Sequence, residues 1–423
     1  MILPCRIHRP RNRVDSLPLA LLFATCLLTP VTTAMGQYAT SSTSEGAGAG
    51  GGRSVPIEIT AGVDIGYDDH VIGTNASTSS SSPGSFFARE NLVLAYNHPG
   101  ERTEVRLLAI GRSSQFFDLG TDDKDVNVTG SLTHNFSTRL SFRADIYGAY
   151  QTEPNFQSNV GPENVRAPHF ETNDIFSVTY HWLPRVSTVT SYTFERIKYE
   201  SSSSSMAGPS NATSVGLSQD RFQNTLAERL QFSLTSRTNL VGEYRFEIVD
   251  YDTAPRDSTI HFALAGLDHR LTEHLMINLL GGESFRSFKD DGDTINPYLE
   301  AKLAYQGSNH SVSWKTSYGV EQPTTATALG TTTIRTGLNV AYDLTSRINS
   351  KAGVYYHHNE NQGPSGASSA GSQDALQFTL GLKYTINKHF ALHVDYEHTA
   401  QSSSGGTSGY SRNRYFGGLT YTY

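Results

Sequence analysis

From Ile57 to the last residue the chain sets apolar against polar side chains one for one, in segment after segment. A period of two means a β-strand with two unlike faces. The first segment places Ile57, Ile59, Ala61, Val63, Ile65 and Tyr67 between Glu58, Thr60, Gly62, Asp64 and Gly66. The clearest places Leu376, Phe378, Leu380, Leu382, Tyr384 and Ile386 between Gln377, Thr379, Gly381, Lys383 and Thr385. It runs at once into Phe390, Leu392, Val394 and Tyr396, alternating with Ala391, His393, Asp395 and Glu397.

The connections alternate as well. One kind is tight and repeats an apolar, hydroxyl or amide, basic pattern: Phe136-Ser-Thr-Arg139, Leu183-Pro-Arg185, Leu234-Thr-Ser-Arg237, Leu271-Thr-Glu-His274, Leu344-Thr-Ser-Arg347 and Asn387-Lys-His389. Asn97-His-Pro-Gly100 and Gln306-Gly-Ser-Asn309 complete the set. The other kind is long and polar, over residues 68–84, 113–124, 151–168, 200–218, 250–258, 288–294, 321–331, 359–374 and 399–412. Counting between them gives about 18 antiparallel strands of a length suited to crossing a membrane at a tilt. Short turns at one end and long loops at the other are the asymmetry of an outer-membrane barrel.

The polar faces decide between a membrane barrel and a soluble all-β protein. Mid-strand positions carry Arg143 and Asp145, Glu243, Arg245 and Glu247, Glu300 and Lys302, Lys315, Lys351, Lys383, Asp395 and Glu397. A dry core would not hold these groups, whereas the polar lumen of an up-and-down barrel of this size, too wide to fill with side chains, would solvate them. They are the expected pore lining. Aromatic residues near strand ends, among them Phe136, Tyr150, Trp182, Tyr342, Tyr384, Phe390 and Tyr396, suit an interfacial girdle. No segment after the N-terminus approaches a spanning helix, and a closed barrel is the only other way to satisfy every backbone group in lipid.

The N-terminus reads as an export signal. Arg6, Arg9, Arg11 and Arg13 form a basic region, Leu17 to Leu28 an apolar one that is short for a spanning helix, and Ala34-Met35-Gly36 a small-residue site that would release Gln37. Residues 1–36 are therefore expected to be a signal peptide, 37–54 a flexible Ser/Gly-rich leader and 55–423 the barrel. The only cysteines, Cys5 and Cys26, fall in the signal, so no disulfide or thiolate chemistry is expected in the mature chain. Its loss also leaves the chain more acidic than the −7 of the full sequence, which argues against a nucleic-acid partner.

Two places resist the pattern. Glu228 falls on the apolar face of Leu226, Leu230 and Phe232, and the phase slips around Leu267 to Leu271 as if a bulge intervened.

The final segment, Tyr415, Gly417, Leu419, Tyr421 and Tyr423, ends in a ring. It resembles the C-terminal β-signal read by barrel-assembly machinery, with Gly418, Tyr421 and Tyr423 as the matching residues and Phe416 where a polar residue is usual. The repeated hairpins, notably Phe246-Glu-Ile-Val-Asp-Tyr251 and Leu267-Asp-His-Arg-Leu-Thr-Glu-His-Leu275, resemble the putative β-barrel porin 2 family. That resemblance implies an outer-membrane barrel of Gram-negative type in contact with lipid and lipopolysaccharide. Some relatives are associated with exopolysaccharide gene clusters, which implies polysaccharide-export partners as an alternative.

For catalysis the candidates are scattered. His357 and His358 on one strand and His393 and His398 on another could supply acid–base groups to a rim-active hydrolase. Asp290-Asp-Gly-Asp293 and the cluster Asp122, Asp123 and Asp125 could offer oxygen ligands to calcium, but neither has the full spacing of a calcium loop. HExxH, a nucleophile elbow and a phosphate-binding glycine loop are missing. No catalytic residue, metal or cofactor is expected, and the reading is a porin-like channel for hydrophilic solutes with a lumen of mixed charge.

Overall fold

The computed structural model describes residues 57–71, 83–153, 167–200, 219–289, 292–323, 328–363, 371–404 and 409–423. The expected signal peptide and leader lie outside the described residues.

Eighteen strands follow one another: β1 (Ile57–Asp68), β2 (Ser85–Pro99), β3 (Thr103–Phe116), β4 (Thr121–Asn135), β5 (Leu140–Gln151) and β6 (His169–Leu183). Next come β7 (Val186–Tyr199), β8 (Arg221–Thr235), β9 (Thr238–Tyr251), β10 (Ser258–Arg270), β11 (Leu275–Phe288) and β12 (Thr294–Gln306). The last are β13 (His310–Glu321), β14 (Gly330–Thr345), β15 (Ile348–Gln362), β16 (Ser372–Thr385), β17 (Phe390–Ser403) and β18 (Tyr410–Thr422). Each pairs antiparallel with its neighbours in sequence, and β1 pairs with β18 from Thr60↔Thr422 to Asp68↔Arg414. The sheet is thereby closed into an 18-stranded up-and-down barrel.

The eight tight turns all join an even strand to the next odd one, and their repeat has a chemical reason. The hydroxyl or amide side chain accepts backbone N–H bonds from residues two and three ahead: Ser137 from Arg139 and Leu140 (both 3.1 Å), Thr345 from Arg347 (3.2 Å) and Ile348 (3.0 Å), Asn387 from His389 (2.9 Å) and Phe390 (3.0 Å). Thr272 does the same for His274 and Leu275. The side chain thus replaces partners that the ladder cannot supply at a reversal.

Several of the long connections are shorter than the sequence suggests. The expected loop 113–124 is mostly strand: β3 runs through Phe116, β4 starts at Thr121, and only residues 117–120 connect them, with Gly120 at φ 60°. Strands also continue into the expected loops 250–258, 321–331, 359–374 and 399–412. Past the apolar band both faces of a strand are polar, so the ladder persists where its alternation fades.

One face of every strand is apolar and points out. Ile65, Leu226, Leu380 and Val394 are all exposed there, Ile65 and Val394 at 65%. Exposed rings gather toward both ends of the strands, Phe136, Trp182, Tyr342, Tyr384, Phe390 and Tyr421 on the tight-turn side and Phe86, Phe170, Phe222 and Tyr415 on the loop side. An apolar belt edged in this way is the surface of a transmembrane barrel. The expected bulge near Leu267 is absent: β10 keeps unbroken register with β9 and β11 through Asp268, which turns inward to accept from Asn278 (2.7 Å). Register shifts occur instead beside the turns, at His181/Leu183, Ser233/Thr235 and Asp343/Thr345. Glu228 does face outward, and Thr190 of β7 donates to it at 2.5 Å.

Candidate functional site in the lumen

All twelve charged positions expected to line the pore lie on the inward face, opposite the exposed apolar residues. Their surroundings differ with depth. Near the tight-turn end Lys351 is exposed, and Arg143 is part-exposed and forked onto Asp145 (2.6 and 2.7 Å). Farther in, Lys302, Lys315 and Glu397 are part-buried while Glu243, Arg245, Glu247, Glu300 and Asp395 are buried. For these five the expectation that lumen water alone would solvate them fails. Each is held by other side chains.

The largest network covers β8 to β13. Arg245, 2% exposed, donates to Glu243, to Glu300 (3.2 Å) and to the Tyr298 hydroxyl (3.0 Å), and that hydroxyl in turn donates to Glu300. Arg229 adds ion pairs to Glu243 (3.6 Å) and Asp268 (3.4 Å). Lys302 and Lys315 face each other in register beside Glu300. Charges this buried are tolerated only when every one has a partner.

A second network lies on the opposite wall, around the seam. Arg412 and Arg414 of β18 both bind Asp68 of β1, the latter at 3.2 Å, and Arg414 lies 3.7 Å from Glu397. His393 lies 3.0 Å from Asp64 and 3.8 Å from Asp395.

The first residues of two connections bend into the lumen. Glu153, just past β5, reaches Arg412 (2.8 Å) and Arg414 (2.9 Å) of β18. Five inter-strand steps separate those strands, roughly 24 Å of wall, so the chain itself must cross the interior. Gln322, just past β13, accepts from Arg286 (2.7 Å) and from Tyr251 (3.2 Å) and donates to Glu247 (3.4 Å), while Arg256 donates to the Ala328 carbonyl (3.2 Å). The stretches of wall these contacts span are centred between β2 and β3 and on β11, about half the barrel apart. The loop end of the lumen is therefore narrowed from opposite sides.

Several lumen aromatics are capped by guanidinium groups. Arg89 lies 4.7 Å from the Phe416 ring centre, Arg245 5.4 Å from Tyr298, Arg286 4.5 Å from Phe288 and Arg256 4.9 Å from Tyr251. These contacts combine ring attraction with burial of the arginine stem. Phe416, out of place as a polar position of the terminal strand, thus packs with Phe87 and Phe116 beneath Arg89.

The histidines do not assemble. His357 and His393 both point inward, but His357 is level with Gln401 through Ala375, eight residues along β17 from His393. That is roughly 26 Å. His358 and His398 face outward, toward Asp374 (2.9 Å) and Asn413 (2.9 Å). Asp122 and Asp123 lie on opposite faces of β4, so the cluster cannot converge on one ion, and Asp290 and Asp291 lie outside the described residues.

At the C-terminal strand Tyr421 packs outward on Phe390 (5.1 Å), Tyr423 donates its N–H to Ile59 (2.9 Å), and Gly418 lies beneath Asp64. Sequence reasoning did not reach Asp68, Arg89, Glu153, Arg229, Gln322, Arg412 and Arg414. They sit on polar faces or in loops, and nothing local marks contacts that cross the lumen.

The family model described as putative beta-barrel porin 2 matches residues 37–423. No curated protein matches the sequence. Solved structures similar to the chain include the outer membrane protein opdK from Pseudomonas aeruginosa, at 11% identity and TM-score 0.42 over 87% of this chain and 99% of that one. Acinetobacter baumannii OccAB3 is similar at 11% identity and TM-score 0.42 over 87% and 98%. The siderophore receptor PirA from Pseudomonas aeruginosa is similar at 10% identity and TM-score 0.41 over 87% and 80%.

Proposed function

The chain belongs to the putative beta-barrel porin 2 family, and on that footing we propose that it is an outer-membrane channel for small hydrophilic solutes, narrowed at its loop end by two inward-bent segments. The observation that carries this reading is the inward face: charges of both signs, paired along the wall, with Glu153 and Gln322 drawn across the opening. Paired charges of mixed sign leave a path that water and polar solutes can follow with little preference for either ion.

A polysaccharide exporter would be expected to offer ring faces to sugars. Here the inward rings of Phe416, Tyr298, Phe288 and Tyr251 are covered by arginines, which favours the solute channel. Liposome swelling tests it. Proteoliposomes should swell in monosaccharide solutions and progressively less in larger saccharides, whereas no swelling with any sugar would overturn the reading.

A further inference from the structure

The outward belt is apolar around most of the barrel, but one sector departs from it. On β7 and β8 Thr190 donates to Glu228 (2.5 Å) and Tyr192 to Asn224 (2.7 Å), and across β9 and β10 the Tyr244 hydroxyl lies 2.8 Å from His261 Nδ1. All six side chains face outward among Leu226, Leu230 and Leu240. Glu283 of β11 lies exposed on the same face, level with Tyr244 through Ala263, and on the neighbouring β6 the outward Asp174 accepts from Thr172 (3.2 Å). Glu90 on β2 and the Thr316 and Thr336 positions interrupt the belt elsewhere among the described residues.

Depth makes Glu228 the informative residue. It stands four residues from Phe232 and six from Phe222, the outward rings that bracket β8. At roughly 3.3 Å per residue along a tilted strand this is well inside the hydrocarbon layer. Thr190 supplies one hydrogen bond to a carboxylate that lipid tails cannot otherwise solvate, and an ionisable group in that position marks a surface that lipid does not cover.

The shape beside it agrees. Ala265 is in register with Gly242 on one side and Gly281 on the other, and a Cβ on Gly242 would meet no atom within 4 Å. Small residues at one level leave a shallow hollow. Tyr244, 50% exposed, projects next to it.

We infer that the outward face of β7 to β11 is the contact surface for a second copy of this chain, related by a two-fold axis along the membrane normal. Copies inserted in the same direction present equal groups at equal depth, so a two-fold contact needs a self-complementary patch. This one carries hydroxyls in Tyr192 and Tyr244, which can each accept a hydrogen bond as well as donate one, beside a Glu228 carboxylate held by Thr190 alone, and a projecting ring next to a row of small residues. A face built for lipid would need neither.

Cross-linking in native membranes tests the inference, because residues 57–423 contain no cysteine. Tyr244→Cys and Gly281→Cys, treated with a short bismaleimide, should give a band of twice the monomer mass, while Leu380→Cys on a distant wall and the unsubstituted chain should give none. Glu228→Leu, which suits lipid, should shift the purified protein from dimer to monomer in native mass measurement while keeping its heat-modifiable mobility. The inference is overturned if Tyr244→Cys and Gly281→Cys cross-link only to a different protein or to nothing. It is equally overturned if the unsubstituted protein is a monomer, or if Glu228→Leu stays folded with unchanged mass.

Discussion

Asp64 and His393 meet across a strand that carries neither of them: the carboxylate of β1 lies 3.0 Å from the imidazole of β17, over Gly418 of β18. A Cβ at 418 would lie 2.2 Å from the Asp64 carboxylate and 2.4 Å from the Val63 carbonyl. The glycine that sequence reasoning assigned to an assembly signal therefore has a second role, leaving room for a contact that spans the closing seam. Gly418→Val is expected to cost about 1–3 kcal/mol, the usual range for overpacking. Gly111→Ala, where the added methyl meets nothing within 4 Å, should leave stability unchanged. The melting of heat-modifiable mobility on gels compares the two, and equal midpoints would contradict the seam role.

Arg245 is the hub of the larger network. Arg245→Ala would remove the ion pair to Glu300 and leave Glu243 only the longer one to Arg229 (3.6 Å), and removing one partner of a buried pair costs about 3–5 kcal/mol. Urea unfolding followed by tryptophan fluorescence reads the loss. Replacing Arg143, part-exposed near the tight turns, should cost far less, on the order of 0–1 kcal/mol for an exposed pair.

Glu153 is drawn between two arginines far along the wall from its own strand. Glu153→Ala should release that segment and leave Arg412 and Arg414 less compensated. Single-channel conductance should rise, and the reversal potential in a salt gradient should move toward anions. Unchanged conductance with unchanged selectivity would show that the segment does not narrow the path.

The two faces of β16 should respond in opposite ways. Leu380→Arg, outward in the belt, is expected to cost about 2–4 kcal/mol, as a cation near the bilayer midplane does. Thr379→Arg, inward on the adjacent residue, should fold normally and shift ion preference toward anions. Similar losses of folded protein for both would contradict the assignment of faces.

The wall was legible in the sequence because each strand states its own two faces: Leu376 to Ile386 alone fixes which side of β16 meets lipid. The turns were legible because Ser137, Thr272, Thr345 and Asn387 repeat one backbone-capping chemistry. Strand ends such as those of β3 and β4 were not, since polar residues on both faces remove the alternation while the hydrogen bonds continue. The contacts that shape the lumen were not legible either. Glu153 with Arg412, or Gln322 with Arg286, join residues separated by several strands. Their pairing depends on how a connection bends inside a closed barrel, and a period-two pattern carries no record of that.

The central claim is that this barrel encloses a conducting path, and current across a planar bilayer measures it most directly. Purified, heat-modifiable protein should insert in discrete steps with weak ion selectivity, and Glu153→Ala should insert with larger steps. Protein that is folded and inserted yet electrically silent, with Glu153→Ala silent as well, would contradict the account and leave a sealed barrel in its place.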